Sequence, residues 1–233
     1  MSSPPETRQF PAKESTRIEY GKILAQLGAE YPEIVVLDAD LAGSTQTARF
    51  AKVFQDRFFN VGISEQDLMG TAAGLALGGK IPFASTFAIF AAGRAWEQIR
   101  QTIAYGNLNV KIVASHGGIT VGEDGGSHQA VEDLALMRIL PNMAVLVPAD
   151  GPETRAMVRW AVGYEGPVYI RTSRIPFPVI HDDSYTFELG RGHILREGND
   201  VTLAGIGLMV HHCLAAADLL ARRGVSARVL NLS

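Results

Sequence analysis

Cysteine is nearly missing from this chain of 233 residues: Cys213 stands alone, so there is no internal disulfide framework, as fits a reducing compartment. No window offers the roughly 18 uninterrupted apolar residues of a membrane-spanning helix. The opening segment MSSPPETRQFPAKES is polar and proline-rich and lacks the apolar centre of a signal peptide. A soluble, cytoplasmic protein without a membrane partner is therefore expected. Neither sign of charge dominates, with 21 Lys and Arg against 24 Asp and Glu, and no basic stripe invites nucleic acid. A P-loop, a Gly-x-Gly-x-x-Gly turn after a first strand and a nucleophile elbow are all lacking.

What is present is an ordinary globular composition, 47% hydrophobic and 19% charged, long enough for one good core and part of a second. Cys213, among Leu208, Met209, Val210 and Leu214, reads as a buried small hydrophobe rather than a reactive thiol. Short apolar runs alternate with helical periods. Ser15 is placed to cap a helix reaching about Tyr31, with Ile18, Ile23, Leu24 and Leu27 turned inward. Strands are expected within 34–40, 57–62, 80–86, 109–115, 142–150 and 167–172, and helices within 91–106, 130–140 and 152–164. Continuously apolar strands separated by helices predict an α/β fold, a parallel sheet with helices on both faces. Ligands of such sheets bind at the carboxyl ends of the strands. Those ends carry Asp38 and Asp40, Glu65, Thr86, Ser115 with His116, and Arg171 with Arg174.

A proline-containing connector at 174–184 leads to a strand–turn–strand over 187–207, a helix over 209–224 stopped by Gly224, and a last strand. This fragment is too small to close its own core, so the chain reads as one full domain and the opening of another, with truncation at Ser233 expected.

Two local features carry chemistry. In SHGGITVGEDGGSHQAVED (115–133), five glycines within ten residues separate His116, Glu123, Asp124 and His128. The spacing of the two histidines, with no nearby thiolate, argues against a metal site. Two imidazoles plus an acid suit an oxygen-rich, anionic substrate and proton movement near neutral pH, although a flexible surface loop has the same composition. In NVGISEQDLMGTAAGLALGG (60–79), Glu65 starts a helix whose Gly70, Gly74 and Gly78 each cost roughly 1 kcal/mol against alanine. Close approach of another helix would offset that cost and place Glu65 in a deep interior or a subunit interface. Glu65 is then either a residue favoured by the helix dipole or a working acid, since a buried protonated carboxyl is a hydrogen-bond donor. Phe87 and Phe90, three apart beyond the next strand, read as core packing or as a ring-stacking platform.

NVGISEQDLMGTAAGLALGG, STFAIFAAGRAWEQIR and VGEDGGSHQAVEDLALMRILPNMAVLVPAD, in that order and spacing, resemble the pyrimidine-binding domain of transketolases. The similarity covers about 15–177. The segment from ILREGNDVTLAGIG onward resembles the start of the transketolase C-terminal domain, leaving 1–14 as a polar segment, 178–188 as a linker and 189–233 as a partial domain. The resemblance implies the thiamine diphosphate-binding fold and the C-terminal subunit of a split, two-chain transketolase.

By this resemblance Glu65 hydrogen-bonds the aminopyrimidine of thiamine diphosphate and promotes the imino tautomer that generates the attacking ylid. Phe87 and Phe90 pack on that ring, and Asp40 lies beside the cofactor. His116, Asp124 and His128 hold sugar hydroxyls and phosphate, with His116 also catalytic. Arg17, Ser44 and Arg174 complete a phosphate clamp, a task guanidinium forks suit on chemical grounds; Arg171 could replace Arg174. A tyrosine common in the family is Gly93 here. No Gly-Asp-Gly followed some thirty residues later by Asn occurs, so the diphosphate and Mg2+ ligands are expected on an N-terminal partner subunit, in a heterotetramer. The implied reaction is transfer of a two-carbon ketol unit between phosphosugars. Deoxyxylulose-phosphate synthase, the beta subunit of a 2-oxo acid dehydrogenase and a non-catalytic scaffold are the alternatives. His116 favours transketolase over the synthase.

Overall fold

Strands that are apolar on both faces need cover on both faces, and the computed structural model, which describes residues 12–233, supplies it. Most of the polar segment 1–14 lies outside the described residues. The chain opens with β1 (Lys13–Glu14), α1 (Thr16–Glu30), β2 (Ile34–Asp38), α2 (Ala42–Thr45), α3 (Ala48–Val53), β3 (Phe58–Asn60), α4 (Glu65–Leu77) and β4 (Ile81–Phe87). Next come a π-helical turn (Phe90–Arg94), α5 (Trp96–Gln98), a second π-helical turn (Ile99–Ala104) and β5 (Lys111–Ser115). Then come α6 (Asp133–Arg138), β6 (Ala144–Leu146), α7 (Gly151–Gly163), β7 (Val168–Arg171) and β8 (Phe177–Pro178).

Six of these strands form a parallel sheet in the order β3-β2-β4-β5-β7-β6. Successive side chains leave a strand on opposite faces. Val35, Leu37, Ala84, Ile112 and Ala114 therefore pack with Leu68, Met69 and Ile99 in one cluster. Val36, Phe83, Val113 and Ile170 pack with Leu24, Leu27, Met157 and Val158 in the other. The expected α/β fold is what the chain adopts. Each strand lies inside its expected segment, except that β4 runs one residue further, to Phe87.

Three local expectations need correction. Ser15 sits at the N-cap of α1 but makes no capping bond, and its hydroxyl is buried without a partner. Its neighbour makes a long-range bond instead: Thr16 Oγ1 accepts the Ser173 amide at 2.9 Å. Ile18 is half-buried, and Tyr20 fills the inner face instead. At Gly70 and Gly74 an added Cβ would meet nothing within 4 Å, and both positions are exposed, so no helix among the described residues packs there.

The connector is anchored rather than loose. β8 pairs antiparallel with β1, and Asp150 Oδ2 accepts the Ile180 and His181 amides, each at 2.7 Å. Beyond it lie β9 (His193–Arg196), β10 (Val201–Gly205), α8 (Leu208–Ala221) and β11 (Ala227–Asn231), in a three-stranded sheet ordered β10-β11-β9. Its core centres on Leu214, Ala217, Ala227 and Val229, as small as the sequence implies. Cys213 is half-buried rather than fully buried.

Candidate active site

The carboxyl ends of β2, β4 and β5 gather the chemistry. At β2, the buried Asp38 accepts the Leu41 amide at 2.6 Å and the Thr45 and Thr47 hydroxyls at 2.7 and 2.8 Å. Asp38 is thus a turn-builder. It shapes the segment that presents Asp40, held at φ +62° and hydrogen-bonded to Asn60 at 3.1 Å in both directions.

Glu65 is the first residue of α4 and only 1% exposed. Its Oε2 accepts from Arg94 Nη1 at 2.9 Å. The π-helical turn, closed by the Ala95 amide on the Phe90 carbonyl, brings Arg94 back toward α4. The Arg94 guanidinium also lies 4.8 Å from the Phe90 ring centroid, within cation–π reach. Arg94 was legible in the sequence only as part of an aromatic segment. Its partner is 29 positions away, beyond any local period.

Phe87 ends β4 and Phe90 opens the π-helical turn. Their rings are nearly parallel, 5.9 Å apart at 11°. His116 stacks on Phe87 at 3.9 Å, and His128 meets Phe90 edge-on at 5.6 Å. The aromatic pair is thus open to the histidine loop rather than sealed into a core. The position of the family tyrosine, Gly93, is exposed and an added Cβ would meet nothing within 4 Å.

His116 adopts φ +62°, a conformation few non-glycine residues take, and its Nδ1 is 2.7 Å from the Ser115 hydroxyl. Burial, reinforced by the Arg17 charge, pushes its pKa down to about 4, so the imidazole is neutral near pH 7. Asp124, Arg174 and His128 also act on it electrostatically, which places these groups in one cluster. Arg17 Nη1 donates to the Ser44 carbonyl at 2.8 Å.

Arg171 and Arg174 divide cleanly. Arg171 lies beneath the loop, its Nε 3.1 Å from Asp133 Oδ2 and its Nη2 3.0 Å from the Ala130 carbonyl. Tyr169 donates to the same Asp133 oxygen at 2.9 Å. A Cβ on Gly117 would overlap Arg171, so that glycine is a condition of the contact. Arg174 stays at the rim, its guanidinium forked onto both Glu123 oxygens, with Nη1 to Oε2 at 2.8 Å, and Asp124 lies 3.6 Å from its Nε. Neither the Glu123–Arg174 fork nor the Asp133–Tyr169–Arg171 network was legible in the sequence, where Glu123 stands only within the titratable loop and Arg171 only as a substitute for Arg174. Among the described residues, no group of three or more His, Cys, Asp or Glu is placed to hold a metal ion, and no helix is long and apolar enough to cross a membrane.

Residues 12–178 match the family model of the transketolase pyrimidine-binding domain. The chain belongs to the transketolase family. Residues 190–233 match the transketolase C-terminal domain. A Methanocaldococcus jannaschii protein named for the C-terminal section of a transketolase is 52% identical over 216 residues, 92% of this chain and 68% of its own. The 6-deoxy-6-sulfo-D-fructose transketolase subunit of Clostridium sp. strain MSTE9 is 41% identical over 93% of this chain and 67% of its own. A solved chain described as a split gene transketolase, inactive beta4 tetramer, superposes with a TM-score of 0.87 at 57% identity, covering 94% of this chain and 70% of that one. This transketolase-family chain thus resembles subunits that carry the C-terminal part of a divided enzyme.

Proposed function

We propose that the chain is the pyrimidine-side subunit of a two-chain, thiamine diphosphate-dependent transketolase, moving a two-carbon ketol unit from a ketose phosphate to an aldose phosphate. The observation that carries this reading is a buried acid, Glu65, at a helix start beside the parallel Phe87 and Phe90 rings, with a histidine–arginine rim around them.

The residues fit an aminopyrimidine. Glu65 offers one directed carboxyl, the two rings offer a face, and the Thr86 hydroxyl next to Phe87 is buried without a partner. When bound, the cofactor supplies the carbon nucleophile and the electron sink for ketol transfer. This chain's own part is to fix the ring, hold a proton balance at Glu65 and grip the sugar. Neutral His116 accepts or donates at a sugar hydroxyl, and His128 and Asp124 take further hydroxyls. Arg17, Ser44 and Arg174 hold the tail anion, the task Arg171 cannot perform while it supports the loop.

Magnesium and diphosphate are assigned to an N-terminal partner subunit, because the sequence has no Gly-Asp-Gly signature. The description of a split relative's beta tetramer as inactive supports that division. The exposed face of α4 with Gly70 and Gly74, flanked by Ile63 and Leu77 at 78% and 75% exposure, suits burial in a heterotetramer. Relatives named for sulfofructose and apulose 4-phosphate mark the sugar as the variable part.

The test mixes this chain with a Gly-Asp-Gly-containing companion, thiamine diphosphate and Mg2+, and monitors glycolaldehyde transfer from a ketose phosphate. Glu65→Ala is expected to lower turnover by about 100-fold or more, the scale of a lost acid–base contact. Activity within a few-fold of the unmodified complex sinks the assignment. Tight thiamine diphosphate binding by the isolated chain contradicts the division between subunits.

A further inference from the structure

Arg17 and Arg174 share one corner of the rim. Burial and then the Arg174 charge push Arg17 below the ordinary guanidinium value, while Asp124 opposes them. Arg17 Nε is moreover buried without a partner. Two guanidiniums so placed call for an anion. In this structure carboxylates of the chain itself answer that call, with Glu123 taking the whole Arg174 fork.

We propose that Glu123 is an internal competitor for the tail anion: it occupies the Arg174 fork until a phosphate displaces it, and it scales down the affinity of every tail anion by one common factor. The inference rests on the reading of this rim as a phosphosugar site.

Three observations support it. Glu123 is 78% exposed in its side chain whereas Arg174 is 26% exposed, so the acid can leave for water at little desolvation cost while the cation stays in place. The acid is also bracketed by permissive backbone. Gly122 at φ +85° and Gly125 at φ +77° flank it in a backbone region that side chains rarely adopt. A Cβ on Gly122 would stand 2.7 Å from Arg174 Nη1, so the glycine is what lets the loop lie against the fork. Finally, Arg174 holds the Glu123 carboxyl down to about 2, so the pair persists across the neutral range. Asp124 is a different case: it lies 3.6 Å from Nε and 35% exposed, close enough to His116 to act on it.

An internal competitor reduces all ligands of one fork equally, because each must open the same contact. Bare inorganic phosphate, with only the Arg17–Ser44–Arg174 clamp to hold it, is then excluded at concentrations where a sugar phosphate, held also through its hydroxyls, still binds. An exposed bidentate pair of this kind corresponds to a factor of about 3 to 10 in affinity.

The test titrates the full chain with inorganic phosphate and with methanesulfonate at pH 8, monitored by NMR shifts of the 115–133 loop, for the unmodified protein, Glu123→Gln and Arg174→Gln. Glu123→Gln is expected to tighten both anions by the same factor, about 3 to 10. Arg174→Gln is expected to weaken both. Unchanged or weaker phosphate binding by Glu123→Gln overturns the proposal, as do clearly unequal factors for the two anions or no phosphate binding by any of the proteins. The titrations need neither partner nor turnover. Tightened anion binding without ketol transfer would retain the competitor and discard the enzyme reading; turnover with an indifferent Glu123→Gln would do the reverse.

Discussion

The Arg94 guanidinium closes over Glu65 at 2.9 Å although half of its side chain faces outward and that of Glu65 is only 1% exposed. The carboxylate at the centre of the proposed site thus meets a cation delivered by a π-helical turn, and helix-start geometry alone does not account for its setting.

Arg94→Ala is expected to destabilise the chain by about 1–2 kcal/mol, less than for a fully buried pair because Arg94 keeps access to water. The double variant Arg94→Ala/Glu65→Gln should recover much of that loss, because the buried charge is then gone. Urea denaturation of the four proteins in a double-mutant cycle checks the coupling. A coupling energy near zero would mean the contact carries no weight.

His116 should show a one-proton dependence of stability on pH. Its folded pKa, about 4, lies below the ordinary histidine value of 6.5, so the unfolded chain binds more protons between the two. Stability therefore falls as pH drops from about 6.5 toward 4, and His116→Gln should flatten that part of the profile. Denaturation midpoints at several pH values, with NMR titration of the imidazole, check both the sign and the window.

Gly117→Ala is expected to cost more than about 1 kcal/mol, the penalty of forcing a methyl into an occupied space. The added Cβ would overlap Arg171, displacing it from Asp133 and freeing the histidine loop. Faster proteolysis within 117–130, matched by Arg171→Ala alone, is the expected readout.

Lys111 is fully buried, donating to the Tyr164 and Gly166 carbonyls at 2.6 and 2.8 Å. Burial lowers its pKa to about 7, below the ordinary lysine value of 10.5. Between these values the unfolded chain binds the extra proton, so this residue's contribution to stability rises with pH from about 7 to 10.5. Lys111→Met should remove the rise, measured by denaturation across that range.

The sheet was legible because its physics is local to each strand. Ile34–Asp38 and Lys111–Ser115 are buried along their whole length, and a continuous apolar run is the visible sign of that. The loop carrying His116 and His128 announced itself through glycines among titratable groups. What escaped was pairing at a distance. Nothing in the local pattern joins Arg94 to Glu65, or Asp133 to Arg171 across 38 positions, because only the folded sheet brings those elements together. Ser15 failed as a cap for a related reason: its hydroxyl is buried by tertiary packing, and Thr16 beside it bonds the Ser173 amide, 157 positions away.

The π-helical turn at Phe90–Arg94 makes the setting of Glu65 sensitive to chain length. Such a turn holds one residue more than an α-helical turn over the same rise. The loss of a single residue, Ala92 for example, would be absorbed by a return to ordinary winding, with Phe87 on β4 and the helix beyond the turn both kept in register. The residues repositioned would be those of the turn itself, Arg94 among them. Gain or loss of one codon at this point would therefore alter the cation at the acid without rebuilding the sheet beneath it.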